Sequence, residues 1–188
     1  SSATNLYMPS IMRDFPEFHY DEMKSRAENV LTSYLQSITR QNPALLSEGT
    51  KELKEQLRLR LEMLQNQSQK ESFENIHIHR TEIHQYRKQR GRQSIVLQTA
   101  VEYFHALKEN GKVIRGSEEH KEQAKYNVEL VYIQDQDMIE NQEDAGLGLN
   151  CPNCGAPLPG LGAKKCIYCD TPIVEYNLRV WNFSRVEE

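Results

Sequence analysis

The stretch QSIVLQTAVEYFHALKENGK, residues 93–112, decides the fold. Ile95, Leu97, Thr99, Val101 and Tyr103 recur every second residue and are aliphatic, β-branched or aromatic, the pattern of a strand with one buried face. The stretch closes with Glu109-Asn110-Gly111-Lys112, and Asn-Gly readily accepts the positive φ of a primed hairpin turn. A strand over 93–107 therefore enters a hairpin, and a third strand must follow.

Beyond the turn, Val113, Ile114, Tyr126, Val128, Leu130 and Tyr132 supply that third strand, either as one long bent strand or as two short ones broken at the polar stretch 117–123. Before residue 93, Ile76 and Ile78 alternate with His77 and His79 to give the first strand, and Arg87-Lys88-Gln89-Arg90-Gly91 makes the intervening turn.

Further toward the front the period becomes helical. Met23, Ala27, Val30, Leu31, Tyr34, Leu35 and Ile38 form one buried stripe, and Asp14, Pro16 and Glu17 have the composition of a helix start. Asn42-Pro43 ends that helix and caps a short turn through Leu46, with Gly49 expected as a left-handed terminator. Leu53, Leu57, Leu61 and Leu64 stripe a second helix, followed by the Gln-rich polar stretch 65–70. At the front, Leu6, Tyr7, Met8, Ile11, Met12, Phe15 and Phe18 are too apolar for a free tail; they either cover the core or face a partner or membrane.

Residues 134–150 hold Asp135, Asp137, Glu140, Glu143 and Asp144 without Lys or Arg, then Gly146 and Gly148, as expected of a solvated linker. Residues 174–186 are strand-like again and are expected to return to the main sheet. Trp181 and Phe183 share one face there, and Leu178 and Val180 the other, hinting at a bulge or two buried faces. Two or three helices, three strands, an inserted module and a final strand describe an α+β domain with an antiparallel sheet. The expected divisions are 1–149 for helices and sheet, 150–172 for the insertion and 173–188 for the last strand.

All four cysteines lie in the insertion as two C-x-x-C pairs, Cys151/Cys154 and Cys166/Cys169, separated by 11 residues. Each short pair can hold one side of a tetrahedral metal, so one structural zinc bound by four thiolates is the leading assignment, with disulfides or iron as alternatives. Four thiolates leave no open position for catalytic water. Gly155 suits the reversal of the first knuckle, whereas Asp170 stands where Gly would be easiest and predicts a strained left-handed residue. So small a module buries little apolar surface, so metal binding, roughly 10 to 16 kcal/mol in zinc peptides, must stabilise it.

The 188 residues suffice for one core plus a small module. Hydrophobic residues at 38%, charged residues at 27% and a net charge of −4 fit an ordinary polar-surfaced domain and argue against general nucleic-acid binding. The insertion itself carries only Lys164 and Lys165 as basic residues and Tyr168 as its aromatic, too few for a nucleic-acid platform. No apolar run approaches the roughly 20 residues of a membrane span. The chain opens Ser1-Ser2-Ala3 without Met, so any targeting or membrane segment is expected ahead of it.

Other candidates are weaker. His77, His79 and His84 suggest a second metal or acid–base site, against the plainer reading of half-exposed strand histidines. Arg87, Lys88, Arg90 and Arg92 gather four cations at a hairpin tip, against the plainer reading of a solvated turn. A sheet wrapped on helices also allows an apolar pocket walled by Trp181, Tyr103 or Tyr126.

Val113-Ile114-Arg115-Gly116, Tyr126 to Ile133, Cys151-Pro152-Asn153-Cys154-Gly155-Ala156-Pro157-Leu158, Cys166-Ile167-Tyr168-Cys169 and the closing strand with Trp181 together resemble the Tim-forty-four-like domain in its bacterial form with a zinc ribbon. The resemblance covers about Phe15 to Val186 and departs from it locally at Asp170 and at Trp181-Asn182-Phe183. It implies a nuclear-transport-factor-like, cystatin-like cone in which N-terminal helices pack on a curved antiparallel sheet, with a zinc ribbon inserted before the last strand. It further implies a non-enzymatic, membrane-associated adaptor or protein-transport domain. Such a domain would sit on the cytoplasmic side, tethered to the inner or plasma membrane, and meet a protein partner or an anionic membrane surface. The alternative expectation is a small-ligand-binding or enzymatic cone using an apolar pocket.

Overall fold

The computed structural model describes residues 2–133, 153–156, 165–170 and 181–188. Their elements are α1 (Ser2–Asp14), α2 (Tyr20–Arg40), a single 3-10 turn (Pro43–Leu45), α3 (Lys51–Asn66), β1 (Gln69–Gln89), β2 (Arg92–Glu109), β3 (Lys112–Gly116), β4 (Glu122–Ile133) and β5 (Trp181–Glu187). The five strands form one antiparallel sheet in the order β1-β2-β4-β5, with β3 also paired to β2. The three helices pack on it, which is the expected α+β architecture.

All seven residues of the predicted first stripe are buried in α2. The helix nevertheless starts at Tyr20, capped by His19 Nδ1 accepting from the Glu22 amide at 3.2 Å, not at Asp14. Asp14 instead ends α1, and its carboxylate accepts from the Tyr86 hydroxyl at 2.7 Å, so it serves the sheet rather than a helix cap. The apolar front end is that additional helix. Ile11 and Phe18 are buried in the core, and the Ile83 amide donates to Thr4 Oγ1 at 3.0 Å.

α2 stops at the left-handed Gln41, φ 54, just ahead of the expected Asn42-Pro43, and the Gly49 expected as a left-handed terminator after the short turn has no positive φ. Gly49 answers a different need, because a Cβ there would lie 2.9 Å from Leu53 Cδ2. Asn42 caps the 3-10 turn through its side chain, which accepts from the Ala44 amide at 3.0 Å.

In the sheet, Ile95, Leu97, Thr99, Val101 and Tyr103 all face the helices and are buried. Strand β1 runs past the expected turn to Gln89, leaving Arg90 and Gly91 at the tip. Asn110 and Gly111 take φ 52 and φ 81, the two positive values of a primed turn. The third strand is two strands on the same side of β2: β3 pairs with Ala106–Glu109 and β4 with Arg92–Tyr103. Gly116 makes the break. Its φ is +75, and a Cβ would run into the carbonyl oxygen of His105, to which Ser117 N donates at 2.7 Å.

β5 closes the sheet against β4 with a bulge that leaves Ser184 unpaired between Phe183 and Arg185. Its outer edge is tied down by α3, since Gln56 Nε2 donates to the Val186 carbonyl at 2.5 Å and Thr50 N donates to the Phe183 carbonyl at 2.9 Å. Such bonds remove the exposed donors and acceptors that make edge strands sticky. Arg26 on α2 completes the anchorage, pairing with Glu48 at 2.5 Å and donating to the Trp181 carbonyl at 3.0 Å.

Candidate functional site

Strand register brings a group of charged side chains to one end of the helix-facing side of the sheet. His105 continues the every-second-residue series Val101, Tyr103 and therefore points inward. Phe73 stands opposite His105, so Glu71, two residues away, shares that face. Glu122 stands opposite Tyr103, and Arg115 opposite Leu107, so both join the same face. Across from them, α2 contributes Tyr34, Leu35 and Ile38, and α3 contributes Gln56 and Arg60.

Together these residues line a cavity of about 550 Å³ that opens to the surface. Its floor is apolar or aromatic through Leu35, Ile38, Phe73 and Val186, while its wall is charged. Glu71, whose side chain is 5% exposed, is the centre of that wall. Its Oε1 accepts from Arg60 Nη2 at 2.5 Å and its Oε2 pairs with His105 Nε2 at 2.7 Å. His105 Nδ1 faces Glu122 Oε1 at 3.2 Å, and the His105 ring stacks on Phe73 with centroids 4.8 Å apart.

Burial alone would raise the Glu71 pKa, but the hydrogen bonds from His105 and Arg60 outweigh it and hold the carboxyl below the usual carboxylate range. The Glu71 hydrogen bond raises the His105 pKa, burial opposes it, and the charges of Glu71 and Glu122 add to the rise. The imidazole thus lies between two carboxylates, an arrangement that favours its protonated form. Behind it the Tyr103 and Tyr126 hydroxyls lie 2.8 Å apart, and burial pushes the Tyr103 phenol up to about 12.

Of Tyr103, Tyr126 and Trp181, expected to wall an apolar pocket, Tyr126 lines this cavity, whose wall is charged. Trp181 instead packs edge-on to Phe15 and Phe18, with centroids at 4.8 and 5.6 Å. Neither Glu71 nor His105 is singled out by the sequence reading; their place in the inward series with Phe73 and Tyr103 was the available signal.

Cys154, Cys166 and Cys169 come together with their sulfurs within 4.8 Å of one another, a group that can hold a metal ion. Cys151 lies outside the described residues. Cys154 Sγ and Cys166 Sγ are 3.7 Å apart. Sulfurs about 2.3 Å from a tetrahedral metal stand about 3.8 Å from one another, whereas a disulfide would place them about 2.05 Å apart. Tyr168 N points at Cys166 Sγ from 3.4 Å, the amide-to-sulfur contact that supports a thiolate ligand. Gly155 at φ +75 and Asp170 at φ 61 hold the left-handed knuckle positions, Asp170 as the strained one expected.

His77, His79 and His84 are exposed on β1, and among the described residues they join no group of three metal-ligating side chains. At the basic hairpin, Lys88 pairs with Asp14 at 2.6 Å and Arg92 with Glu129 at 2.9 Å, so half of its charge is neutralised within the domain. Among the described residues no helix is long and apolar enough to cross a membrane. No protein-family model and no curated protein matches the chain.

Proposed function

We propose that this chain is a non-enzymatic ligand-binding domain whose working part is the cavity between α2, α3 and the sheet. The observation that carries the reading is the charged wall. A volume of about 550 Å³ lies within the range of small-molecule sites, and an apolar floor with a few convergent polar groups is their usual composition. A general base needs a ring nitrogen with a free lone pair toward its substrate. His105 presents both nitrogens to carboxylates, which favours binding over catalysis.

In this reading the curved cone of the Tim-forty-four-like resemblance supplies the cavity. Cys151 completes the ligand set of Cys154, Cys166 and Cys169 around one structural zinc, and the ribbon so formed is inserted between β4 and β5. The donor set fits zinc because four thiolates suit a tetrahedral, closed site. Zinc would supply folding free energy there and no reaction step.

Heteronuclear NMR with a panel of small molecules tests the proposal. Shifts clustered at Phe73, His105, Gly116 and Tyr126 are expected, and shifts confined to residues outside the cavity would remove it.

The adaptor reading rests on a separate observation. α1 leaves Leu6 68% exposed and Met12 39% exposed while burying Ile11. Apolar groups on the outer side of a terminal helix suit a protein partner or the headgroup layer of an anionic membrane on the cytoplasmic side. Liposome flotation and pull-down that are unchanged by Leu6→Glu with Met12→Glu would remove this second role.

A further inference from the structure

We propose that the cavity takes a small carboxylic acid, whose carboxylate pairs with Arg115 and displaces Glu122 from His105 Nδ1. This rests on the cavity being the binding site. The choice of an acid comes from which groups on the wall still have bonding capacity. Glu71 is spent, one oxygen on Arg60 and the other on His105. Arg60 uses Nε and Nη2 on Glu71, which leaves Nη1 without a bond of its own. Tyr34 accepts from Gln56 Nε2 at 2.9 Å and keeps its own hydroxyl proton to donate. Arg115 lines the cavity and, among the described residues, its side chain makes no hydrogen bond or ion pair. The unspent groups named so far are donors, two of them cationic, and guanidinium donors match a carboxylate in charge and in fork geometry.

The competing acids decide where the ligand goes. Glu188 also lines the cavity, and Glu122 holds His105 Nδ1 at 3.2 Å. Glu122 is 42% exposed and its bond is longer than the 2.7 Å bond from buried Glu71 to Nε2. Of the two carboxylates on His105, Glu122 is therefore the one an incoming acid replaces. Replacement leaves both ring nitrogens of His105 facing a carboxylate, as they do with Glu71 and Glu122, so no buried group is stranded.

Isothermal titration of the full chain with succinate, with its neutral diamide and with putrescine tests the assignment. Succinate should bind, with the diamide and putrescine weaker by at least about tenfold, the worth of one charge-assisted contact. Arg115→Gln should weaken succinate by at least about tenfold, and Glu122→Gln should tighten it, because the internal competitor has lost its charge. Both side chains are on the open side of the wall, and a circular-dichroism melt matching the parent shows that each variant folds. Equal binding of the diamide, or unchanged succinate affinity in Arg115→Gln, overturns the acid assignment while leaving the cavity as a binding site. If none of the three probes binds, the acid assignment fails, and the wider NMR panel then decides whether the cavity binds anything.

Discussion

His105 Nε2 lies 2.7 Å from Glu71 Oε2, an ion pair formed under α2 and α3 and fastened on its far side by Arg60. Without Glu71, His105 keeps only the longer contact to the partly exposed Glu122, and Arg60 loses the carboxylate it is paired with. Among the described residues Glu71 is the carboxylate bonded to both Arg60 and His105; Glu71→Ala removes it, and breaking a buried pair in this way costs about 3 to 5 kcal/mol. Urea denaturation of the variant should show that loss, with the slope against denaturant unchanged.

The same pair sets a pH window. The folded Glu71 pKa lies below its ordinary 4.5, so its stabilisation is complete above that value and is lost as pH falls through the lower folded value. The folded His105 pKa lies above its ordinary 6.5, so its stabilisation is complete below that value and is lost as pH rises through the higher folded value. The pair is expected to contribute most between 4.5 and 6.5. Denaturation midpoints measured across pH should fall on both sides of that window, and Glu71→Gln should flatten the profile.

Gly116 positions the wall from the backbone. Gly116→Ala adds a Cβ against the His105 carbonyl at a φ of +75, which L residues rarely adopt. Strain of this kind costs about 1 to 3 kcal/mol, and here it also disturbs the bond from Ser117 N to the same carbonyl. A lowered thermal midpoint together with altered His105 resonances is the expected result. Gly91, where a Cβ would meet nothing, should tolerate Asn with little change.

Metal analysis of the purified chain should find one zinc per molecule, released by a strong chelator at low pH. Cys166→Ser should abolish that stoichiometry, since Cys166 Sγ is both buried and bonded by the Tyr168 amide. Cys151→Ser tests the fourth ligand. Retention of zinc at full affinity in that variant would leave the site with three sulfurs and another donor.

Where burial followed a simple period, the sequence was legible. The α2 stripe, the inward series of β2 and the Asn110-Gly111 turn each depend on one local rule, and each stands as read. Boundaries set by tertiary contacts were not. Asp14 has the chemistry of a cap, yet Tyr86 and Lys88, more than 70 residues away in the chain, claim its carboxylate. Gly49 has the chemistry of a terminator, yet its role is to let Leu53 pack. The charged wall was hidden for a related reason. Glu, His and Arg are surface residues by default, and only the strand register that sets Phe73 opposite His105 shows that they meet. The cysteines were legible because ligand spacing is a covalent property of the chain, independent of packing.

NMR titration of the His105 ring tests most directly that the cavity is organised around a buried ion pair. The account predicts that both ring nitrogens stay protonated above the ordinary histidine value of 6.5, and that Glu71→Gln lowers the midpoint. A midpoint at or below 6.5, unmoved by Glu71→Gln, would contradict it.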